Sequence, residues 1–488
     1  MILGNMQPPS PSFKKPALGW AHLAIALAAG LALRLMFIHF YGQTTGDTLV
    51  YGDIAKNWLQ HGVYGMSGDD GPTPTLIRLP GYPLFLAACF RIFGMEHYTA
   101  VMLMQCVADL GTCALAAATA ARLFGRHTGL CALWLGALCP FTANYVSAPL
   151  TETLSLFCIA LGFYALLRWQ KAREGPLRLD LNFWLMAVAM AYAILLRPDS
   201  GLLAAVIVPA MAWIAWTRRD ATQARGTARA NAVGMTVAMC LVVLLPLAPW
   251  TARNWRTFHV IQPLAPRYAT DPTELVGYGF NHWYRSWAME YKSTEDVYWN
   301  LNDAAIQIDD IPTRAFDNDA QYQETAQLLA DYNDGTTLTQ ELDDRFQTIA
   351  SERIAANPMR YYVTLPAARL ADMWLRPRTE MLPVSSAWWK YSDDPTDSLF
   401  GWGYASLNFL YIVAAGLGAW FACKWLPKEK RPLLYAMLGY IVLRSALLFT
   451  LDNSEDRYTL EFFPIFFVLA GYGISGDWRA KKRAVETQ

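Results

Sequence analysis

The chain has 488 residues, 54% of them apolar and only 16% charged, with a formal net charge of zero. That balance does not suit a soluble protein of this length, and a nucleic-acid-binding protein would gather basic residues on an accessible face that this sequence does not supply. The apolar residues fall in long blocks, which must be helical wherever they meet lipid because the backbone there has to satisfy its own hydrogen bonds.

Lys14 and Lys15 precede an apolar run over residues 17–41, too long for a signal-peptide core and without a small-residue cleavage site, so it reads as an uncleaved anchor. A polar loop over residues 45–83 follows, rich in Asp, Arg, His and aromatic side chains. Within it Leu49, Ala55, Trp58 and Leu59 recur at roughly helical spacing, which predicts an amphipathic surface helix over 48–61. The apolar stretch 83–94, carrying Arg91, is too short to cross a bilayer and reads as a second surface helix of the same loop. Spans are then expected near 98–121, 129–148, 151–168, 182–197, 199–217, 231–249, 400–423, 432–451 and 459–476, ten with the first.

The positive-inside rule supports this order. One set of ends holds Lys14 and Lys15; Arg122 and Arg126; Arg168, Lys171, Arg173 and Arg178; and Arg218, Arg219, Arg225 and Arg229. The same set continues with Lys424, Lys428, Lys430 and Arg431, then Arg479, Lys481, Lys482 and Arg483. Both termini are therefore expected in the cytoplasm. The chain divides into an N-terminal transmembrane module (1–249) with its first external loop (42–97), an external domain (250–399), and C-terminal transmembrane helices with a tail (400–488). The external domain is acidic and aromatic, with Trp283, Tyr284, Trp287, Tyr298 and Trp299, and its later part predicts helices broken near Pro358 and Pro366. The architecture is all-α and polytopic. Eight cysteines lie in or beside apolar segments, with neither a disulfide framework nor zinc-ligand spacing. Walker-type, HExxH and GxSxG motifs are absent.

The order Asp47, Tyr51, Ala55, Asn57-Trp58-Leu59, His61-Gly62 and Tyr64, then Arg78-Leu79-Pro80-Gly81-Tyr82-Pro83, resembles the first external loop of the GT-C glycosyltransferases. The similarity is to the branch of protein O-mannosyltransferases, lipid A aminoarabinose transferases and related bacterial enzymes that use polyprenyl-phosphate sugars. It implies a GT-C-like fold in the bacterial inner membrane, with sugar transfer from a polyprenyl-phosphate donor to a glycan, lipid or protein acceptor and inversion at the anomeric carbon. Such chemistry needs a base near the nucleophile and cations near the departing phosphate.

Carried over residue by residue, Asp47 matches the acidic position of that loop and takes the base role. Thr48 stands where the family commonly has a second acid, which leaves Asp53 as a weaker candidate for assistance or metal contact. Glu152 resembles the second acidic position, with a helix-dipole acid capped by Thr151 as the structural alternative. Arg78 precedes a proline-rich turn that includes Tyr82, and it reads as a phosphate ligand or as a headgroup-snorkelling side chain. Arg197-Pro198-Asp199 resembles a recurring family pattern at a helix boundary, and Glu455-Asp456-Arg457-Tyr458 resembles the pattern of the last external turn. Arg457 is thus a second phosphate candidate and Tyr458 a sugar or lipid contact. Arg444, inside a span, is a functional candidate or a partner for Asp452 or another helix. No cofactor is implied outright; a divalent cation is left open at Asp53, His61 and His282, against the ordinary reading of solvated histidines. The competing functional class is a polytopic transporter or flippase, which would favour inverted repeats and midplane polar groups. Neither is visible, and a lipid-linked polysaccharide polymerase or ligase is the third reading.

Overall fold

A computed structural model describes residues 19–171, 179–217, 225–390 and 394–479. The first apolar run is α1 (Trp20–Tyr41), and the predicted surface helix is α2 (Gly46–His61). A two-stranded antiparallel hairpin follows, β1 (Gly65–Gly68) with β2 (Gly71–Pro74), then α3 (Gly81–Phe93), the second surface helix. Next come α4 (Tyr98–Leu123), α5 (Arg126–Ala137), α6 (Pro140–Tyr145), α7 (Glu152–Lys171), α8 (Leu181–Leu196), α9 (Gly201–Thr217), α10 (Arg225–Leu244) and α11 (Leu247–Phe258). The 250–399 region holds α12 (Tyr278–Arg285), the single turn α13 (Tyr291–Ser293), α14 (Asp319–Asn333), α15 (Gln340–Ala356) and α16 (Leu365–Leu375). The chain ends with α17 (Pro395–Trp425), α18 (Arg431–Leu448) and α19 (Phe463–Ser475).

Among the described residues seven helices are long and apolar enough to cross a membrane, or eight if α10 and α11, bent by 41° at their junction, form one broken span. The expected count of ten is not reached. The run 129–148 is broken at Cys139-Pro140 into α5 and α6, because Pro140 has no N–H to continue the ladder, and α8 has only 16 residues. Arg34 of α1 compensates for that break. Its guanidinium donates to the carbonyl of Ala137 (2.7 Å) at the break and to that of Gly136 (3.2 Å), which also accepts the Cys139 N–H (3.3 Å), and pairs with Asp109 of α4 at 2.5 Å. All of these groups are buried, so each satisfies the other where no water reaches.

Small residues set the tightest packing. A Cβ at Gly418 of α17 would lie 1.8 Å from the carbonyl of Leu469 on α19, so only glycine lets the two backbones meet there. The 250–399 region has a core of its own, built on Phe280, Trp283, Tyr284, Trp287, Leu328, Tyr332 and Phe346. Trp283, Tyr284 and Trp287 are therefore packing residues, not free aromatic faces. The expected break near Pro358 falls at Asn357, but none occurs at Pro366. There a π-helical turn over Arg360–Thr364 runs directly into α16, and the widened turn is followed by Pro366 without the helix ending.

The basic loop ends meet on one side: the Lys430 ammonium donates to the carbonyls of Arg122 (3.2 Å) and Leu123 (2.7 Å), and Asp477 accepts from Thr128. Lys14, Lys15, Arg173, Arg178, Arg218, Arg219, Lys481, Lys482 and Arg483 lie outside the described residues.

Candidate functional site

The site is built on the start of α2. Thr45 and Thr48 cap the helix reciprocally, each side chain accepting from the other's main-chain N–H, at 3.3 and 3.2 Å. Thr48 also donates to the carbonyl of Pro149 at 3.1 Å, fixing the helix start against the turn before α7. Asp47 sits between the capping residues in the first turn, where the helix dipole favours a negative charge.

Two guanidiniums converge on it. Arg78 donates to Asp47 Oδ1 at 2.8 Å and Arg457 to Oδ2 at 2.9 Å. Burial by itself would raise the Asp47 carboxyl, but Arg457 and Arg78 outweigh it and hold the group well below the usual carboxylate range. All three side chains keep partial access to solvent, at 29%, 22% and 18% exposure for Asp47, Arg78 and Arg457. Behind Arg457, the buried Glu455 carboxylate pairs with its Nε and accepts from Tyr458 (2.7 Å) and Asn453 (2.6 Å).

The Tyr458 ring joins this cluster to a second one, with the Arg457 guanidinium 5.5 Å and the Arg197 guanidinium 5.3 Å from its centroid. Arg197 pairs with Glu152 (2.9 Å) and Asp199 (3.1 Å). Arg444 then pairs with Asp199 (3.1 Å) and Glu461 (2.8 Å) and donates to the carbonyl of Tyr458 at 2.8 Å. Its partners are thus not the Asp452 considered from sequence. Asp452 pairs instead with Arg267 and Arg285, each at 3.1 Å.

Of the residues singled out in the sequence, Asp47, Arg78, Glu152, Arg197, Arg457 and Tyr458 therefore form one connected network. Tyr82 lies behind it, fully buried, donating to Gln105 at 2.6 Å and meeting the Tyr51 ring edge-on at 5.1 Å. Asp53 is turned elsewhere, accepting from the Ser67 N–H (2.6 Å) and hydroxyl (2.7 Å) and pairing with Lys56. Burial opposes its ionisation, yet the Ser67 and Lys56 contacts hold its carboxyl below the ordinary value. Among the described residues no group of three or more His, Cys, Asp or Glu side chains is placed to hold a metal ion. His61 is exposed, and His282 meets Gln347 at 2.6 Å.

Glu455 and Glu461 were not singled out as site residues. The sequence did carry a signal for Glu461, an acid at the head of the apolar run 462–470, where a lone charge demands a partner. Glu380, which accepts from the Tyr145 hydroxyl at 2.6 Å and from the Asp456 N–H at 3.1 Å, had no such mark.

Residues 73–250 match the family model described as dolichyl-phosphate-mannose-protein mannosyltransferase. The match bears out the resemblance read from the first loop; it takes in Arg78, Tyr82, Glu152 and Arg197 and stops short of Asp47 and Arg457. No curated protein matches the chain. Among solved structures, an archaeal oligosaccharyltransferase, AglB from Archaeoglobus fulgidus in complex with an inhibitory peptide and a dolichol-phosphate, is 11% identical with a TM-score of 0.49 over 96% of this chain and 51% of its own. The chain thus spans about half the length of that protein. ArnT from Cupriavidus metallidurans bound to undecaprenyl phosphate is 13% identical, with a TM-score of 0.34 over 96% of this chain and 79% of its own.

Proposed function

We propose that this chain, matching the dolichyl-phosphate-mannose-protein mannosyltransferase family over residues 73–250, is a membrane glycosyltransferase that takes its sugar from a polyprenyl-phosphate donor. The acceptor is a hydroxyl, the sugar inverts, and the reaction takes place on the external face with both termini in the cytoplasm. The observation that carries this reading is the convergence of Arg78 and Arg457, from opposite ends of the sequence, on the two oxygens of Asp47.

In the free protein Asp47 occupies the place that a phosphate would take, because two converging guanidiniums match phosphate oxygens as well as they match a carboxylate. When the donor phosphate engages Arg78 and Arg457, Asp47 loses the charges that suppress its basicity and becomes competent to accept a proton. The acceptor oxygen then forms its bond to the anomeric carbon as its proton passes to Asp47. The bond from that carbon to the phosphate oxygen breaks, and the electron pair leaves with polyprenyl phosphate, held by the two arginines. Glu152 supports this by orienting Arg197, which with Arg457 brackets the Tyr458 ring; Tyr82 backs Tyr51, and Asp53 anchors the hairpin. No step requires a metal, and the question of a divalent cation is answered by assaying with and without chelator.

A cavity of about 500 Å³ beside the bend of α10 and α11 is lined by Trp58, Tyr64, Pro80, Pro246 and Trp250. Tyr64 also donates to the Arg78 carbonyl at 2.9 Å, so an apolar wall adjoins the phosphate ligand. This is where the first isoprene units of the donor would lie. Incubating the purified protein with labelled polyprenyl-phosphate sugars tests the reading. Release of free polyprenyl phosphate, dependent on acceptor, is expected; movement of lipid or solute without any sugar transfer would favour a transporter.

A further inference from the structure

The turn that carries Arg457 has a second face. Asp452, 4% exposed, accepts a hydrogen bond from Arg267 and forms an ion pair with Arg285 on the same oxygen, each at 3.1 Å. Those two arginines line a separate cavity of about 350 Å³ together with Tyr268, Tyr278 and His282. Arg369, 1% exposed, packs against the backbone of Arg285, donating to the carbonyls of Arg285 (3.2 Å) and Ala288 (2.8 Å) while its Nε and Nη2 have no hydrogen-bond partner. Among the described residues Asp452 is the only carboxylate paired with any of these three cations. Burial and the neighbouring Arg285 bring the Arg369 guanidinium down to about 10, as expected where positive charge outnumbers negative.

The walls are aromatic as well as cationic. Tyr268 and Tyr278 meet edge to face at 5.7 Å, Arg267 lies over the Tyr268 ring at 5.4 Å, and Tyr278 is 56% exposed. An aromatic face suits the C–H face of a pyranose, and surplus guanidinium charge suits an anionic substituent on it. Asp452 is five positions before Arg457, so the chain between the residue that pairs with both cavity arginines and the phosphate ligand spans at most about 18 Å.

We infer that this cavity is a binding site for an acidic sugar, a uronate belonging to the acceptor glycan. The acceptor role rests on the glycosyltransferase reading; the binding does not. The test is calorimetric titration of the purified full chain with trigalacturonate, with maltotriose as the neutral counterpart, with inorganic phosphate, and with phosphatidylglycerol nanodiscs as competitor. Trigalacturonate is expected to bind at least about tenfold more tightly than maltotriose, and Arg267→Gln and Tyr278→Ala, both at exposed positions, are each expected to weaken it by about tenfold. Equal affinity for acidic and neutral sugar, binding unchanged in both variants, or binding of phosphate or phosphatidylglycerol in place of the acidic sugar would overturn the site. In transfer assays Arg267→Gln should raise KM for an acidic acceptor about tenfold and leave kcat unchanged. An unaltered KM would overturn the acceptor role. Acidic-sugar binding without transfer to any acceptor would uphold the cavity and remove the glycosyltransferase reading instead.

Discussion

Asp47 lies between two guanidiniums, with Arg78 at 2.8 Å and Arg457 at 2.9 Å from its two oxygens. What spacing could not reveal is that its second partner, Arg457, lies 410 positions away. Only folding brings the turn before α19 onto the start of α2. That pairing gives a pH prediction. In the free protein Arg457 and Arg78 hold the Asp47 carboxyl well below its usual range. Once the phosphate engages them, the carboxyl rises toward or above its ordinary value of about 4. The kcat/KM profile reports the free enzyme and kcat the donor complex. Activity should therefore fall with acid at a higher pH in kcat than in kcat/KM. Coincident acid limbs would show that donor binding does not release Asp47.

Among the elements, α2 was readable from its apolar spacing and α3 from its shortness, but the hairpin between them was not. Asp69-Asp70-Gly71 is a serviceable turn, yet Pro72 and Pro74 in the second strand argue against a strand, and only an isolated two-stranded edge tolerates them. The break in the expected 129–148 span was hidden for a different reason: its compensating donor, Arg34, is on another helix. Replacing Arg34 by Leu leaves Asp109 buried without its partner and removes the side-chain donor to the carbonyl of Ala137. The expected loss is on the order of 3–5 kcal/mol, the range for breaking a buried ion pair. Arg34→Leu with Asp109→Leu should recover part of it, since no charge then remains stranded. Thermal unfolding followed by size-exclusion chromatography in detergent measures both, and a single variant as stable as the parent would contradict this account of the break.

For the whole molecule, hydropathy and the segregation of basic residues marked out the membrane helices, the 250–399 region and the clustering of reactive groups at one end. The contacts of the 250–399 region were less accessible to reading. Asp271 accepts from Thr75 (2.7 Å) and the Leu76 N–H (2.9 Å), and Asp452 holds Arg267 and Arg285, so two carboxylates tie the region to the first loop and to the last turn. Such long-range pairs depend on the final arrangement of chain segments, which local periodicity does not encode. The topology predicts that a reporter fused near Asp220 is cytoplasmic and one inserted near Asp334 is external. The reverse at either position would break the assigned orientation.

The central claim is that Asp47 accepts the acceptor's proton while Arg78 and Arg457 hold the donor phosphate. Asp47→Asn keeps the side-chain volume and some hydrogen bonding but removes the carboxylate, and it leaves both arginines free for phosphate. The direct measurement is donor binding and polyprenyl-phosphate release by the parent and by Asp47→Asn in the same preparation. The predicted result is donor binding retained or tightened, with turnover lowered about a hundredfold or more, the scale of general-base catalysis. Near-normal sugar transfer by Asp47→Asn would contradict it.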